Sequence, residues 1–386
     1  MSEKTINKVP NVPNLRFRNF NNTWIKKSFL DLVKVKARIG WQGLRQEEFM
    51  SEGDYYLITG TDFKNNKIDF KTCKYISKER YDQDVNIQIK NNDILITKDG
   101  SIGKVAIVEN IDKPATLNAG VYVVRLSSNE IRLKYLFHYL KAPFLLDFAD
   151  KSSTGGTIKH LNQNVLGEFK IPFSSFHEQN KIAIFLDLID ERISTQSKII
   201  KEYKAYKKKI LHTIYNRFNE CEYLTLDQLC TITTGKLDAN AMNPDGKYKF
   251  FTCAREDYYI DTYSFDGESL IISGNGEVGL IKYYNGKFDA YQRTYVLQSF
   301  KENPMFIKFA LEIELPKKLH REKNVGAMPY IVLSTLTDIK IKIPDSATIS
   351  KIATFVTLLD KKIATEEQIL NDYLSQKKYL LSNMFI

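Results

Sequence analysis

From His177 to about Phe218 the chain contains neither proline nor glycine, and apolar residues return every three or four positions. Ile182, Leu186, Ile189, Ile193, Ile200, Tyr203, Ile210 and Ile214 form one stripe, the pattern of a long amphipathic helix. Shifted by 170 residues, the same rows read Ile352, Val356, Leu359, Ile363, Leu370, Tyr373, Leu380 and Met384. The polar interruptions recur in step, Gln196 with Glu366 and Lys207 with Lys377. Other faces repeat as well, at Phe185/Phe355, Asp190/Asp360, Ile199/Ile369 and Leu211/Leu381. The chain is therefore an internal duplication, and a long helix closes each half.

At 386 residues there is room for two or three domains. The net charge of +10 favours an anionic partner, nucleic acid among them, although basic surfaces also arise from composition alone. No run of eighteen apolar residues occurs and the opening MSEKTINKVPNVP is polar, so neither a membrane span nor a signal peptide is expected. Cys73, Cys221, Cys230 and Cys253 lack metal-ligand or paired spacing and read as reduced thiols of a cytoplasmic protein.

Residues 1–14 read as a flexible tail. From Trp24 the text turns strand-like: Tyr55–Thr59, Asp93–Thr97, Lys104–Val108 and Gly120–Val124 are short β-branched or aromatic runs. Lys98-Asp-Gly-Ser-Ile-Gly103 between the middle two favours a tight hairpin. A short helix over Ile131–Lys141 precedes Pro143, then a polar loop runs from Lys151 to His160. The strand-like Glu168–Ile171 is expected to end at Pro172. The second half keeps this order. Leu224–Leu229 parallels Lys27–Leu32, Ser269–Ser273 and Leu280–Tyr284 parallel the hairpin, and Thr294–Leu297 parallels Val121–Val124. Phe306–Ile313 stands for the short helix, and Gly326–Tyr330 for Gly156–His160. The helices share much sequence and the globular halves little, which suits one structural task and two different targets.

Several motifs lead elsewhere. Gly274-Asn-Gly-Glu-Val-Gly279 fits a dinucleotide pattern, but that pattern needs a helix next and Leu280–Tyr284 is strand-like. Both halves keep Gly-x-x-Gly (Gly100/Gly103, Gly276/Gly279), as hairpin tips would. Asn303-Pro-Met-Phe306 resembles the loop of adenine methyltransferases but lacks one proline and an upstream cofactor loop. His138, His160, His177, His212 and His320 are scattered, with no metal or nucleophile pairing. The chain reads as a binder without catalytic residues and without a metal site. Arg38, Trp41 and Gln42 offer a fork-shaped donor, a ring and an amide. Lys98, Ser101 and Lys104 decorate the first hairpin, and Arg255, Gln292 and Arg293 flank the second. Such loops suit reading of base edges or contact with phosphates. Lys201, Lys204 and Lys207–Lys209 suit either a solvated face or phosphates.

Each half enters its long helix through Ile-Pro (Ile171-Pro172, Ile343-Pro344) and then Lys-Ile-Ala (181–183, 351–353). This plan resembles the DNA-specificity subunit of type I restriction–modification enzymes along essentially the whole chain. Arg38–Gly43, Thr59-Gly-Thr-Asp-Phe63 and Lys98–Lys104 resemble one type of target-recognition domain. Gly235-Lys236, Gly274-Asn-Gly276 and Tyr291–Tyr295 resemble another. The resemblance implies an α+β chain in which two target-recognition domains, mixed α/β with twisted sheets, are separated by two long helices in an antiparallel coiled coil. It divides the chain into domains at 15–172 and 219–344, with helical spacer regions at 173–218 and 345–386. It adds Thr61, Lys159, Lys236 and Asn275 to the DNA-binding candidates, and gives coiled-coil or subunit packing to the two stripes. It also implies recognition of a split sequence in double-stranded DNA, with two methylation subunits and motor-nuclease subunits as partners. S-adenosylmethionine, ATP and magnesium would be held by those partners. A protein-binding coiled-coil scaffold and a self-sufficient methyltransferase or nuclease are the alternatives.

Overall fold

The structure, a computed structural model, describes residues 11–152, 161–219, 221–322 and 330–386, the side chains of Trp41 and Ser152 excepted. It divides into two compact units, one running to Thr195 and including Leu370–Ile386, the other Gln196–Ile369. The units cut across the expected domain boundaries because each long helix, Phe176–Asn216 and Ser346–Asn383, contributes one end to each unit.

In the first unit a six-stranded sheet is ordered Val33–Lys36, Val121–Leu126, Ile94–Thr97, Val105–Ile107, Lys67–Ile68 and Phe63–Lys64. Ile94–Thr97 is buried along its whole length, which explains an unbroken apolar run rather than an alternating one. A four-stranded sheet orders Lys74–Ile76, Tyr55–Ile58, Ala115–Leu117 and Gln88–Ile89. The second unit has a four-stranded sheet, Thr231–Thr234, Thr294–Gln298, Glu268–Ser273 and Ile281–Asn285, and a three-stranded one built on Tyr248–Phe251. Each unit adds a two-stranded ladder at the entry to a long helix, Ile25–Ser28 with Lys170–Phe173 and Glu222–Thr225 with Lys340–Ile343. Pro172 lies inside its strand opposite Lys26 rather than ending it. Each strand of a two-stranded ladder is an edge strand, the setting in which proline is tolerated within a sheet.

The helical stripes do two jobs. Ile182, Leu186 and Ile189 are buried in the first core beside Trp24, Tyr135 and the C-terminal Leu380, Leu381, Met384 and Phe385. Ile352 and Val356 are buried in the second with Leu211, Tyr215, Phe306 and Phe309. Each such aliphatic side chain withdrawn from water contributes about 1.5–3 kcal/mol. Ile193, Leu359, Leu370 and Tyr373 are half-buried, while Ile200 and Ile363 are buried. The polar interruptions pair off within each unit. Gln196 Nε2 donates to both the backbone oxygen and a carboxylate oxygen of Glu366, at 3.0 and 2.5 Å. Lys207 reaches Asp360 at 2.6 Å, and Lys377 reaches Asp190. Residue numbers rise on one helix as they fall on the other, so the helices run antiparallel in both units.

Three expectations need correction. Residues 11–14 are bound, not loose: Trp24 N–H donates to Asn11 O at 3.0 Å and Asn14 Nδ2 to Asn383 Oδ1 at 3.4 Å. The short helix of the first unit is Leu133–Lys141, and a second helix, Pro143–Ser152, follows at once. Proline is tolerated at a first helical turn, so Pro143 starts this second helix, which was not expected ahead of the polar loop from Lys151. Its counterpart in the second unit is one helix, Pro304–Glu322, with Pro316 inside it.

Candidate nucleic-acid interface

The two hairpin tips are built by the same backbone bonds. In the first unit Thr97 N–H donates to Lys104 O at 3.0 Å and Gly103 N–H to Thr97 O at 2.9 Å. In the second, Ser273 N–H donates to Leu280 O at 3.0 Å and Gly279 N–H to Ser273 O at 2.8 Å. The four glycines Gly100, Gly103, Gly276 and Gly279 all have φ between 60° and 78°, the left-handed region that side chains resist. A strand, Ile281–Asn285, follows the second glycine set, so no helix N-terminus exists there to hold a pyrophosphate.

Each tip is then tied to two further loops. Lys98 N–H donates to Gly120 O at 2.9 Å, and Leu161 N–H to Lys98 O at 3.1 Å. Correspondingly, Gly274 N–H donates to Arg293 O at 3.0 Å and Ile331 N–H to Gly274 O at 2.8 Å. A tyrosine clamps each arrangement: Tyr122 Oη donates to Leu161 O at 2.9 Å and Tyr295 Oη to Ile331 O at 3.0 Å. Burial pushes the Tyr122 phenol up to about 12. These clamps were missed in the sequence. Their signal was the tyrosine at the second place of Val121-Tyr-Val-Val and of Thr294-Tyr-Val-Leu.

In the second unit the candidates come together. Gln292 N–H donates to Leu237 O at 2.9 Å, bringing Lys236 beside Gln292 and Arg293, all three exposed. Asn275 is half-buried on the adjoining turn. Arg255 is 67% exposed and paired to Glu277 at 3.0 Å. Its loop is shaped by another residue that sequence reading missed. Lys282 Nζ donates to Ala254 O and Arg255 O at 3.1 and 2.8 Å. Exposed Tyr330 and Val332 flank the anchored Ile331.

The first unit gathers only some of its candidates. Lys98 is half-buried with its ammonium 5.4 Å from the Tyr122 ring centroid, while Thr61, Ser101 and Lys104 are exposed. Thr61 Oγ1 lies 2.7 Å from Thr59 Oγ1 in a turn closed by Asp62. Arg38 and Gln42 turn inward, contrary to expectation, and are 2% and 5% exposed. Arg38 Nε donates to Leu117 O at 2.9 Å and Nη2 to Thr116 Oγ1 at 3.3 Å. Removal from water lowers its pKa, and Arg80 lowers it further. The guanidinium closes the end of Ala115–Leu117, a position that periodicity does not distinguish from an exposed loop. The side chain of Trp41 and all of Lys159 lie outside the described residues.

Among the described residues no cluster of three histidine, cysteine or acidic side chains could hold a metal ion, and no helix is long and apolar enough to cross a membrane.

Two similar units that carry different side chains on the same loop frame define a duplicated recognition protein. The family profile described as Type I restriction modification DNA specificity domain matches residues 21–205 and again residues 219–372, and the chain belongs to that family. It is 37% identical over 148 residues to the Type I restriction enzyme EcoDI specificity subunit of Escherichia coli, covering 37% of this chain and 33% of that relative. Over 364 residues it is 25% identical to the MjaVIII specificity subunit of Methanocaldococcus jannaschii, covering 82% of each chain. The crystal structure of a type I restriction–modification S subunit from M. genitalium has the same fold, with a TM-score of 0.62 at 21% identity over 97% of this chain and 99% of that one.

Proposed function

We propose that this chain is the sequence-reading component of a type I restriction–modification complex, each unit contacting one half of a split target in double-stranded DNA. The observation that carries the reading is the common loop frame with different occupants: Lys98, Ser101 and Lys104 on one tip, Asn275 beside Arg293 and Gln292 on the other. Arginine pairs with guanine, and asparagine or glutamine with adenine, through paired hydrogen bonds in the major groove. Lysine contributes attraction to phosphates without regard to sequence.

The chain performs no bond chemistry in this reading. Two methylation subunits bind S-adenosylmethionine and modify adenine, motor-nuclease subunits use ATP and magnesium, and the complex works in the cytoplasm in defence against phage. The experiment is reconstitution. The purified chain is incubated with DNA and labelled S-adenosylmethionine, alone and then with a type I methylation subunit. Label should enter DNA only in the second mixture, at adenines flanked by one split sequence. Robust transfer by the chain alone would favour a self-sufficient methyltransferase. Salt-insensitive association with DNA would favour a protein-binding scaffold.

A further inference from the structure

In the second unit two lysines and two carboxylates close on one another. Lys207 holds Asp360 at 2.6 Å and Glu312 at 2.8 Å, and Lys308 holds the same two at 2.6 and 2.7 Å. The first unit repeats this arrangement one carboxylate short. Lys377 and Lys141 both reach Asp190, the latter at 2.6 Å. The neighbouring Asp187 is bonded instead to His138, at 2.9 Å. The protonation balance follows the geometry. Burial, reinforced by Lys377, pushes the Lys141 ammonium down to about 8. Burial works to lower Lys308 too, but Glu312 and Asp360 outweigh it and raise that group.

Beside the incomplete cluster lies a cavity of about 400 Å³. Lys104, Lys141 and Lys377 line it, with Ile102, Leu146 and Leu381 among its apolar walls, and no carboxylate lines it. Lys104 is exposed and has no acidic partner among the described residues. Leu146 is 47% exposed at the same place. Positive charge above apolar walls suits a carboxylate on an aliphatic stem. A phosphodiester has no such stem and would leave the apolar walls wet.

We propose that this cavity receives an acidic side chain of a methylation subunit, which supplies the carboxylate that the second unit supplies from its own Glu312. The proposal rests on the reading of the chain as the specificity component of such a complex.

Lys104 is exposed, so Lys104→Glu leaves the fold intact while placing a carboxylate of the chain's own at the cavity. The full chain, wild type or variant, is titrated with a type I methylation subunit by analytical ultracentrifugation. The assembled complex is then treated with a carbodiimide, which joins carboxylates directly to lysines, and mapped by mass spectrometry. The expected result is a linkage from Lys104, Lys141 or Lys377 to an acidic residue of the methylation subunit. Assembly should weaken at least tenfold in Lys104→Glu and in Leu146→Ser, and Leu146→Ser, which touches no residue of the DNA-reading tip's polar face, should leave the preferred DNA sequence unchanged. Undiminished assembly without such a linkage overturns the proposal. So does a loss confined to DNA binding, equal for all sequences and with a shallower salt dependence, which marks a phosphate contact. Inorganic phosphate that protects the three lysines from acetylation while the methylation subunit does not would mark a site for small anions only. Failure of the wild-type chain to assemble at all would overturn the specificity-subunit reading as well, a result distinct from a variant that assembles normally.

Discussion

A Cβ added at Gly274 would lie 2.5 Å from the backbone oxygen of Arg293, a contact that only loop movement relieves. Lys98 occupies the corresponding place in the first unit and faces Gly120, so each unit uses a small residue on one side of the same hydrogen bond. Gly274→Ala should therefore part the Asn275 and Arg293 loops and relax discrimination at one half-site, leaving the other unchanged. Binding to duplexes altered in one half at a time measures this. Arg293→Ala should cost about 1–3 kcal/mol at one base position if Arg293 touches a base, and an equal loss on all sequences would make it a phosphate contact. Lys141 gives a prediction in pH. An ammonium whose folded pKa is lowered to about 8 keeps its proton to higher pH in the unfolded chain, near its ordinary 10.5. Between those values the unfolded state binds more protons, so the first unit should gain stability as pH rises from about 8 toward 10. The urea midpoint of Lys141→Met should lack that rise. A wild-type midpoint that is flat or falling over the same range, relative to the variant, would contradict the burial of this charge.

At the scale of the element, Gln196 and Glu366 hold the same place in the two copies of the helix and bond each other, both nearly out of water. Replacing Gln196 removes the amide that donates to one carboxylate oxygen of Glu366, while the other oxygen stays paired with Lys362 at 2.6 Å. Gln196→Leu should then destabilise the helix pair by about 1–3 kcal/mol, and adding Glu366→Leu should recover most of it. Coiled coils use such polar pairs to fix register at some cost in stability. The double variant should accordingly be stable but less specific in pairing, as disulfide trapping between introduced cysteines would show. If the two single changes simply add, the residues are not acting as a pair. The hairpins make the same point for strands. Their Gly-x-x-Gly spacing was plain in sequence, whereas the tyrosine clamps needed the distant Leu161 and Ile331 to be seen.

For the whole molecule, the net charge of +10 should show as a steep fall of DNA affinity with salt. Neutralising Lys236 should reduce the slope of log affinity against log salt by about 1 if its ammonium meets a phosphate, with no change in the preferred sequence. An unchanged slope would remove Lys236 from the interface. The sequence by itself determined the duplication, the two long helices and the succession of the main strand-like runs along each half, because hydrophobic period and glycine placement are local properties that each copy repeats. The order of strands within each sheet came only with the tertiary structure. Only the tertiary structure decided which polar residues face outward. Arg38 and Arg293 look alike in the text, both in glycine-bearing or turn-rich loops, yet one caps a buried strand through Leu117 and the other stands exposed on a turn held by Gly274. The same holds for Lys141 and Lys308, whose protonation is set by how many carboxylates converge on them from other elements. Burial and electrostatic balance are sums over neighbours distant in sequence, and no local pattern carries them.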